Sequence, residues 1–316
     1  MKPLLSEADV LRRFNLVTGK GGVGKSTVSA ALALMSAKRG ERTLVCELNT
    51  HEQVSRLLGY EPVGDTVTRL EKNLWSVNIN PNTALQEYGL MKLRFHVFYR
   101  LVFENPLVGA LVRFIPGIND LLMLGKAFNH EREETEQGKL AWDRIIIDAP
   151  ATGHSLTFFR LPKIIMDAVP TGNMHTESAE MWKLLSDPAR CAIHIVALPE
   201  ELPVQETCDL YNKLTRELHL PVSTIFLNQV PELPLTRQRT ACLKTWEAAP
   251  KDPALRALWT AGRIRYELVQ QAETHQKTLT KLGRPIVNMP MRYDSPFGRS
   301  DIEALVSTIQ DACNAG

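Results

Sequence analysis

The feature that most constrains the fold is a glycine-rich stretch near the start of the chain, GKGGVGKST at residues 19–27. A strand-like run, FNLVT, precedes it at 14–18, and an alanine-rich helical pattern, VSAALALMSAKRG, follows at 28–40. Glycines at such a junction let successive backbone N–H groups point at phosphate oxygens, and the helix adds the positive end of its dipole. The stretch therefore predicts a strand, a phosphate-binding loop and a helix in that order.

The loop satisfies the pattern G-x-x-x-x-G-K-[ST], in which the final lysine and the hydroxyl residue have separate roles. Lys25 is predicted to reach the β- and γ-phosphates of a nucleotide, and the Ser26 hydroxyl to be a ligand of Mg²⁺. Lys20 is a second lysine, which the pattern does not require. The residues predicted to bind nucleotide in this loop are Gly19, Lys20, Gly21, Gly22, Val23, Gly24, Lys25, Ser26 and Thr27.

Short β-rich runs alternate with longer helical patterns along the rest of the chain. Beside 14–18, strand-like runs occupy 43–48, 74–79, 144–148, 192–198, 223–228 and 285–289. Several are apolar almost throughout, which is typical of strands that helices cover on both faces of a parallel sheet. The order predicts an α/β fold with a doubly wound, mostly parallel sheet, in one domain that spans residues 1–316. Ligands of such sheets bind at the carboxyl ends of the strands.

One interval, residues 81–137, holds only helical or loop signals, so we expect a helical subdomain inserted into the connectivity of the sheet. Its middle, 90–128, is apolar and aromatic on more than one helix face. Helices that are apolar all round must be covered by something. The cover is either the core or a dimer partner, or a hydrophobic client that binds in a groove.

The bulk composition excludes several classes of protein. With 316 residues, 44% of them hydrophobic and 23% charged, the chain can bury a sizeable core. The net charge of +2 is spread along the chain and gives no electrostatic footprint for nucleic acid. No uncharged apolar run is long enough to span a membrane, and charges interrupt the amino terminus where a signal peptide would be apolar. We therefore expect a cytoplasmic protein without a transmembrane segment.

A second motif, RIIIDAPATGHSL at 144–156, is an apolar strand that ends in Asp148 and is followed by a small, glycine-containing turn. An acid at the end of a strand beside a phosphate loop is placed to orient Mg²⁺, directly or through water. Gly153 could donate its N–H to a γ-phosphate, so residues 149–156 are predicted to be a switch loop. Ser26 and Asp148 are thus the predicted metal residues.

Together these motifs resemble a known family. GKGGVGKST is similar to the deviant Walker A loop of the class of P-loop proteins that includes the cell-division positioning, plasmid-partition and nitrogenase-reductase proteins. IDAPATGHSL resembles the switch II signature of the arsenite-pump and tail-anchored-protein-targeting ATPases. Further matching segments are PGIND (116–120), RLPK (160–163), LPEELPVQET (198–207) and FLNQV (226–230). The resemblance spans nearly the whole chain and implies an ATPase that uses ATP and Mg²⁺.

The resemblance also implies roles for residues outside the shared loop pattern. Lys20 is implied to cross a two-fold interface and to stabilise charge on the other subunit's ATP, so turnover would require a dimer. Adenine recognition carries over onto the amide of Asn228, with Pro290 and Met291 as contacts in a loop over the base. The alternatives are a solvated lysine at 20 and an asparagine that bonds its own loop.

The segment CELNTHEQVSRLLG at 46–59 departs from the family pattern. Asn49 falls on the switch I aspartate that acts on the attacking water, and Glu47 on the earlier acid of a D-x-D pattern in the wider class. Because an amide can orient water but cannot accept a proton, we expect slow or assisted hydrolysis. Glu47 could substitute as a catalytic residue if its carboxylate reaches the γ-phosphate; the alternative is a salt-bridged residue near a strand end.

Cysteine usage separates the functional hypotheses. The resemblance implies a zinc-binding C-x-x-C pair in the targeting branch and metalloid-binding cysteine pairs in the pump branch, yet residues 81–137 contain no cysteine. The leading hypothesis is a dimeric switch ATPase that couples nucleotide state to a hydrophobic or membrane-protein client. Its dimer partner is itself or a paralogous ATPase subunit. The second hypothesis is a weakly or non-hydrolysing subunit of such a heterodimer, and an anion or metalloid pump motor is the third.

Overall fold

The computed structural model describes residues 5–48, 52–80, 118–149, 155–168, 170–233, 251–293 and 296–314. The strands are β1 (Phe14–Thr18), β2 (Thr43–Glu47), β3 (Thr68–Glu71), β4 (Leu74–Asn78), β5 (Arg144–Asp148), β6 (Cys191–Ala197), β7 (Val222–Val230) and β8 (Ile286–Pro290). The helices are α1 (Glu7–Val10), α2 (Lys25–Lys38), α3 (Val54–Leu57), α4 (Ile118–Glu131), α5 (Ser155–Ala168), α6 (Asn173–Ser186), α7 (Glu201–Asn212), α8 (Pro253–Thr280) and α9 (Arg299–Asn314). A short π-helix, Lys213–Glu217, continues α7.

The described strands form one sheet in the order β3-β4-β2-β5-β1-β6-β7-β8. The pair β3 and β4 is antiparallel, and the other neighbouring pairs are parallel. The sheet extends from β1 in two directions, with β5, β2, β4 and β3 on one side and β6, β7 and β8 on the other. This is the arrangement of a doubly wound sheet. The predicted α/β fold with a mostly parallel sheet is confirmed.

Helices cover both faces of this sheet, as the apolar strands require. Phe14 and Leu16 of β1 point into one apolar cluster, to which α4, α5 and α6 contribute. Val17 points to the opposite face, where it packs in a second cluster with residues of α2 and α9. Because neighbouring residues of a strand point to opposite faces, a strand covered on both sides must be apolar at nearly every position.

The edge strand β3, TRLE, was not predicted from the sequence. Its residues are exposed or half-buried, and it pairs with β4 alone across a turn in which Asn73 has φ 63°. An edge strand with polar side chains carries no apolar run that would reveal it.

The predicted helical insert is described only in its last part. Helix α4 and a short antiparallel bridge between Glu134 and Leu140 lie there, while 81–117 is outside the described residues. The insert's boundaries therefore stay a prediction. Within the described ranges, no helix combines the length and the apolar character needed to cross a membrane.

Candidate functional site

The phosphate loop joins β1 to α2 at the carboxyl edge of the sheet. Gly19 has φ 144°, and a Cβ there would lie 2.4 Å from the backbone oxygen of Val196 in the neighbouring strand β6. Gly24 has φ 93°, and a Cβ there would lie 2.1 Å from Nδ2 of Asn228. Both positions therefore need glycine for conformation and for space. The loop can follow this path only because side chains are absent where β6 and Asn228 approach it.

Helix α2 begins directly after the loop, with Gly24 as its N-cap residue. Gly24 has no side chain with which to accept a hydrogen bond from the first N–H groups of the helix. These groups point toward the loop, where an anion can accept their hydrogen bonds and experience the positive end of the helix dipole. The local geometry therefore suits a phosphate group.

Lys25 lies along the loop and is largely buried. Its Nζ donates a hydrogen bond to the backbone oxygen of Lys20 over 3.1 Å. Burial lowers the pKa of Lys25, and the charge of Asp148 opposes the shift. Because burial disfavours the isolated cation, an anion bound in the loop would stabilise the protonated ammonium.

The two predicted metal residues lie in contact. Ser26 Oγ donates to Asp148 Oδ2 over 2.7 Å, and Ser29 Oγ donates to the other carboxylate oxygen over 3.0 Å. Asp148 is fully buried at the end of β5, and burial raises its pKa against the two hydroxyl hydrogen bonds and the charge of Lys25. A hydroxyl and a carboxylate next to a phosphate loop fit Mg²⁺, which takes a few oxygen ligands from protein and the rest from phosphate and water.

Among the described residues there is no cluster of three or more histidine, cysteine or acidic side chains that could hold a metal ion by itself. Ser26 and Asp148 offer two oxygen ligands, which suits a cation that also takes ligands from bound phosphates and water. Such a donor set differs from the closed sites of structural zinc, which take four nitrogen or sulfur ligands from the protein.

Glu47 lies beside Asp148, as its register partner on the adjacent parallel strand. It is fully buried, and its Oε2 accepts hydrogen bonds from the backbone N–H groups of Gln53 (2.6 Å) and Val54 (3.1 Å). Its Oε1 is buried and has no hydrogen-bond partner among the residues that the structure describes. Burial raises the pKa of Glu47 to about 7, against the two backbone hydrogen bonds. Glu47 thus holds the segment after switch I to the end of β2, and its partners are backbone amides instead of the cation of a salt bridge.

Asn228 supports the phosphate loop from the side of β7. Its Nδ2 donates to the backbone oxygen of Val23 over 2.9 Å, and the side chain is almost fully buried. The amide therefore bonds the phosphate loop instead of its own loop. Its part in adenine recognition stays a prediction.

An open cavity of about 650 Å³ lies farther along the same edge, between α8 and the residues that follow β6, β7 and β8. Its lining includes Leu198, Gln229, Leu268 and Met291. Met291 is anchored there by a hydrogen bond from its N–H to the oxygen of Val230 over 2.9 Å. Pro290 ends β8 just before this cavity but does not line it. Of the two predicted base contacts, only Met291 reaches the cavity.

Lys20 points away from the loop toward α7. Its Nζ donates to Glu206 Oε1 over 2.6 Å, and both side chains are about two-fifths exposed, at 43% and 39%. Glu206 was not predicted as a site residue. The segment LPEELPVQET contains it, but no chemical pattern in that segment marks one acid over the others.

Two predicted residues cannot be placed in this geometry. Asn49, at the switch I position, and Gly153, in the predicted switch loop, lie outside the described residues. Their roles stay predictions.

Comparison with known proteins matches a family of ATPases to the first half of the chain and a relative to most of the chain. The anion-transporting ATPase family matches residues 12–171, which include the phosphate loop, β2 and β5. The ATPase BagA of Mycobacterium tuberculosis is 31% identical over 257 residues, which cover 79% of this chain and 74% of that protein.

For two more distant relatives, the match covers a smaller part of the relative's own length. A Halobacterium salinarum protein named as an arsenical pump-driving ATPase is 24% identical over 308 residues, 92% of this chain and 43% of that protein. An ATPase of Paramecium tetraurelia, named as a homologue of ASNA1, is 29% identical over 151 residues, 47% of this chain and 43% of that protein.

Proposed function

Because the chain belongs to the family of anion-transporting ATPases, and is thus an ATP-hydrolysing enzyme, we propose that it works as a Mg²⁺-dependent dimer. In this proposal its nucleotide state controls the binding of a hydrophobic or membrane-protein client. The observation that carries the chemistry is the contact between Ser26 and Asp148 over 2.7 Å at the end of the phosphate loop.

ATP binding falls to the loop and to the start of α2. Backbone N–H groups of residues 19–27 bind the phosphates, and Lys25 neutralises charge that the buried loop would otherwise leave unpaired. Ser26 and Asp148 would hold Mg²⁺, which when bound withdraws charge from the phosphate oxygens. To hold Mg²⁺, the Asp148 carboxylate would give up hydrogen bonds from the serine hydroxyls but would stay at the end of β5.

In this proposal, residues of the switch I segment position the attacking water. Asn49 can orient water but cannot accept its proton. Glu47 is a buried carboxylate at the end of β2, and a pKa of about 7 lets it exist in both protonation states near neutral pH. We assign it the double role of holding residues 53 and 54 and of accepting a proton during hydrolysis, at a reduced rate compared with an aspartate at 49.

Lys20 acts in the other subunit. Its side chain is 43% exposed, so it is accessible to a second copy of the chain or to a paralogous subunit. A cation that arrives at the triphosphate only on closure stabilises the charge that moves to the leaving phosphate oxygen. ATP then drives closure, and the helical insert changes the surface that it offers to a client.

Steady-state phosphate release from the purified chain tests the ATPase site. Ser26→Ala and Asp148→Asn should each lower Mg²⁺-dependent turnover by about 100-fold or more, because the first removes an oxygen ligand and the second removes the negative charge that attracts the metal. Ser307→Ala, an exposed serine on α9, serves as the matched control and should behave as the wild type. Turnover that survives both site variants would contradict the proposed site.

Client binding is tested separately, by hydrogen exchange and by the binding of a hydrophobic dye. Exchange in residues 90–128 should change between the nucleotide-free protein and the protein with an ATP analogue and Mg²⁺. Identical exchange and dye binding in the two states would remove the client from the proposal and leave the ATPase intact.

A second candidate function rests on Asn49. The chain could be the weakly hydrolysing half of a heterodimer whose paralogous partner carries the complete switch I. This candidate predicts tight ATP binding with negligible phosphate release by the chain alone, and release restored on mixing with the paralogue. The pump-motor hypothesis predicts instead that arsenite or antimonite stimulates turnover.

A further inference from the structure

The contact between Lys20 and Glu206 joins the phosphate loop to α7, the helix that follows β6 in the chain. Lys20 follows directly after Gly19, and Glu206 lies in the middle of α7, the helix that follows β6. Their side chains meet over 2.6 Å across 186 positions of sequence. The ammonium therefore already has an anionic partner within its own subunit.

A second contact holds the backbone of Lys20, and the carboxylate of Glu206 is partly buried. The backbone oxygen of Lys20 accepts the hydrogen bond from Lys25, which ties the Lys20 backbone to the loop. On the other side, Oε1 of Glu206 binds Lys20, while Oε2 is buried and has no hydrogen-bond partner among the described residues. One carboxylate oxygen thus binds the lysine, and no other donor in the part of the chain that the structure describes competes for the carboxylate.

From this geometry we propose that Glu206 is a positioning residue for Lys20, an inference that rests on the proposed function. In the nucleotide-free subunit Glu206 holds the lysine in cis. When two subunits close on ATP, Lys20 exchanges this carboxylate for phosphate oxygens of the other subunit. Closure must therefore break the ion pair with Glu206 before Lys20 can reach the phosphates of the other subunit.

The exposure of the Lys20–Glu206 pair determines how strongly the pair opposes dimer closure. Ion pairs between exposed side chains change an equilibrium constant by about two- to five-fold. Closure of a symmetric dimer releases two such pairs, so the effect on the dimer dissociation constant is squared, to about four- to twenty-five-fold. Such an effect tunes closure without blocking it.

Sedimentation equilibrium of the full chain, with Mg²⁺ and a non-hydrolysable ATP analogue, tests the proposal. Glu206→Gln keeps the size of the side chain and removes its charge, so the dimer dissociation constant should fall by about four- to twenty-five-fold. Asp209→Asn is the matched control, since it removes an exposed carboxylate one turn along the same helix, and it should leave the constant unchanged. Turnover should reach half of its maximum at a correspondingly lower protein concentration.

The Lys20→Ala background separates the pair from a general effect of charge. In that background Glu206→Gln should no longer tighten the dimer, because the cation that it releases is gone. Glu206→Gln that matches the wild type or Asp209→Asn, or that acts equally without Lys20, overturns the role of Glu206. A wild-type chain that does not dimerise with the analogue at all overturns the proposed dimer as well, so the two failures are distinguishable.

Discussion

At the scale of single residues, the phosphate loop depends on how closely other parts of the chain approach it. Gly19 lies against Val196 of β6, and Gly24 lies against Asn228 of β7. The loop therefore packs directly against these strands, and the hydrogen bond from Asn228 to Val23 helps to keep its N–H groups in place for an anion. Removing either glycine changes both the backbone conformation and this close approach.

Gly24→Ala should reduce nucleotide affinity by at least about tenfold and destabilise the fold by about 1–3 kcal/mol. The reason is that the new Cβ would lie 2.1 Å from Asn228 Nδ2 at a residue with φ 93°. Gly40→Ala is the matched control, because Gly40 has φ 88° but no atom within 4 Å of the new Cβ. Urea unfolding and titration with an ATP analogue measure the two effects. Equal losses of stability in both variants, with affinity retained in Gly24→Ala, would contradict the steric account.

His194 is buried within β6, and burial lowers its pKa to about 3 from an ordinary value of 6.5, against a weaker contact with the backbone of Val10. Since the unfolded chain binds a proton that the folded chain refuses, this residue makes the protein less stable as the pH falls below 6.5. Replacing it with leucine should remove about 3 kcal/mol of the stability lost between pH 6.5 and pH 4. Urea unfolding of both proteins at the two pH values measures this. Parallel losses in the two proteins would contradict it.

Single-residue chemistry could be predicted from sequence where it lies in a local motif. The pattern around Ser26 and the strand that ends in Asp148 each have a recognisable form, and the expectation that they meet follows from parallel strands ending at one edge. The hydrogen bond from Asn228 to the loop spans 205 positions, so it depends on the order of strands in the sheet. No local pattern contains that order, which is also why Glu206 was missed.

At the scale of elements, the ends of α4, β1 and β6 are joined by one buried carboxylate. Glu131, the last residue of α4, is almost fully buried and accepts from Arg13 and from Arg190 over 2.6 Å each. Arg13 and Arg190 directly precede β1 and β6, respectively. The interaction fixes the helix against the amino-terminal edge of the sheet, opposite the phosphate loop.

Glu131→Gln should destabilise the protein by about 3 kcal/mol, because it leaves two guanidinium groups without their buried counter-charge. Glu267→Gln removes one partner of an exposed ion pair with Arg263 on α8 and should cost less than about 0.5 kcal/mol. Thermal or urea unfolding compares the variants. A loss for Glu131→Gln no larger than that of the exposed pair would show that this carboxylate does not hold the elements together.

Elements that are buried on both faces were predictable because burial itself produces the apolar run. Strands β1, β2, β5 and β6 follow this rule, whereas the edge strands β3 and β8 carry exposed residues. Strand order and the antiparallel edge were not predictable in the same way, since they depend on contacts between distant segments. The carboxyl edge of the sheet could still be identified as the place for the site, because all parallel strands share it.

At the scale of the whole molecule, the proposed active unit is a dimer. In the proposed dimer, each subunit contributes a complete phosphate loop with Lys25, Ser26 and Asp148, together with a lysine that acts in the other subunit. Lys20 binds Glu206 within its own subunit, and Glu47 holds Gln53 and Val54, which follow switch I, through two backbone hydrogen bonds. A subunit that lacks only Lys20 should thus be able to bind ATP but should need its partner to hydrolyse it.

Mixing two inactive variants tests this claim most directly. Lys20→Ala keeps its own phosphate loop but gives no lysine to its partner, whereas Lys25→Ala has a defective loop but still supplies Lys20. An equal mixture should regain about a quarter of the wild-type rate of ATP hydrolysis, since half of the dimers are mixed and each has one complete site. A rate equal to the mean of the two variants measured alone would contradict the account, because it would mean that Lys20 does not act across the dimer.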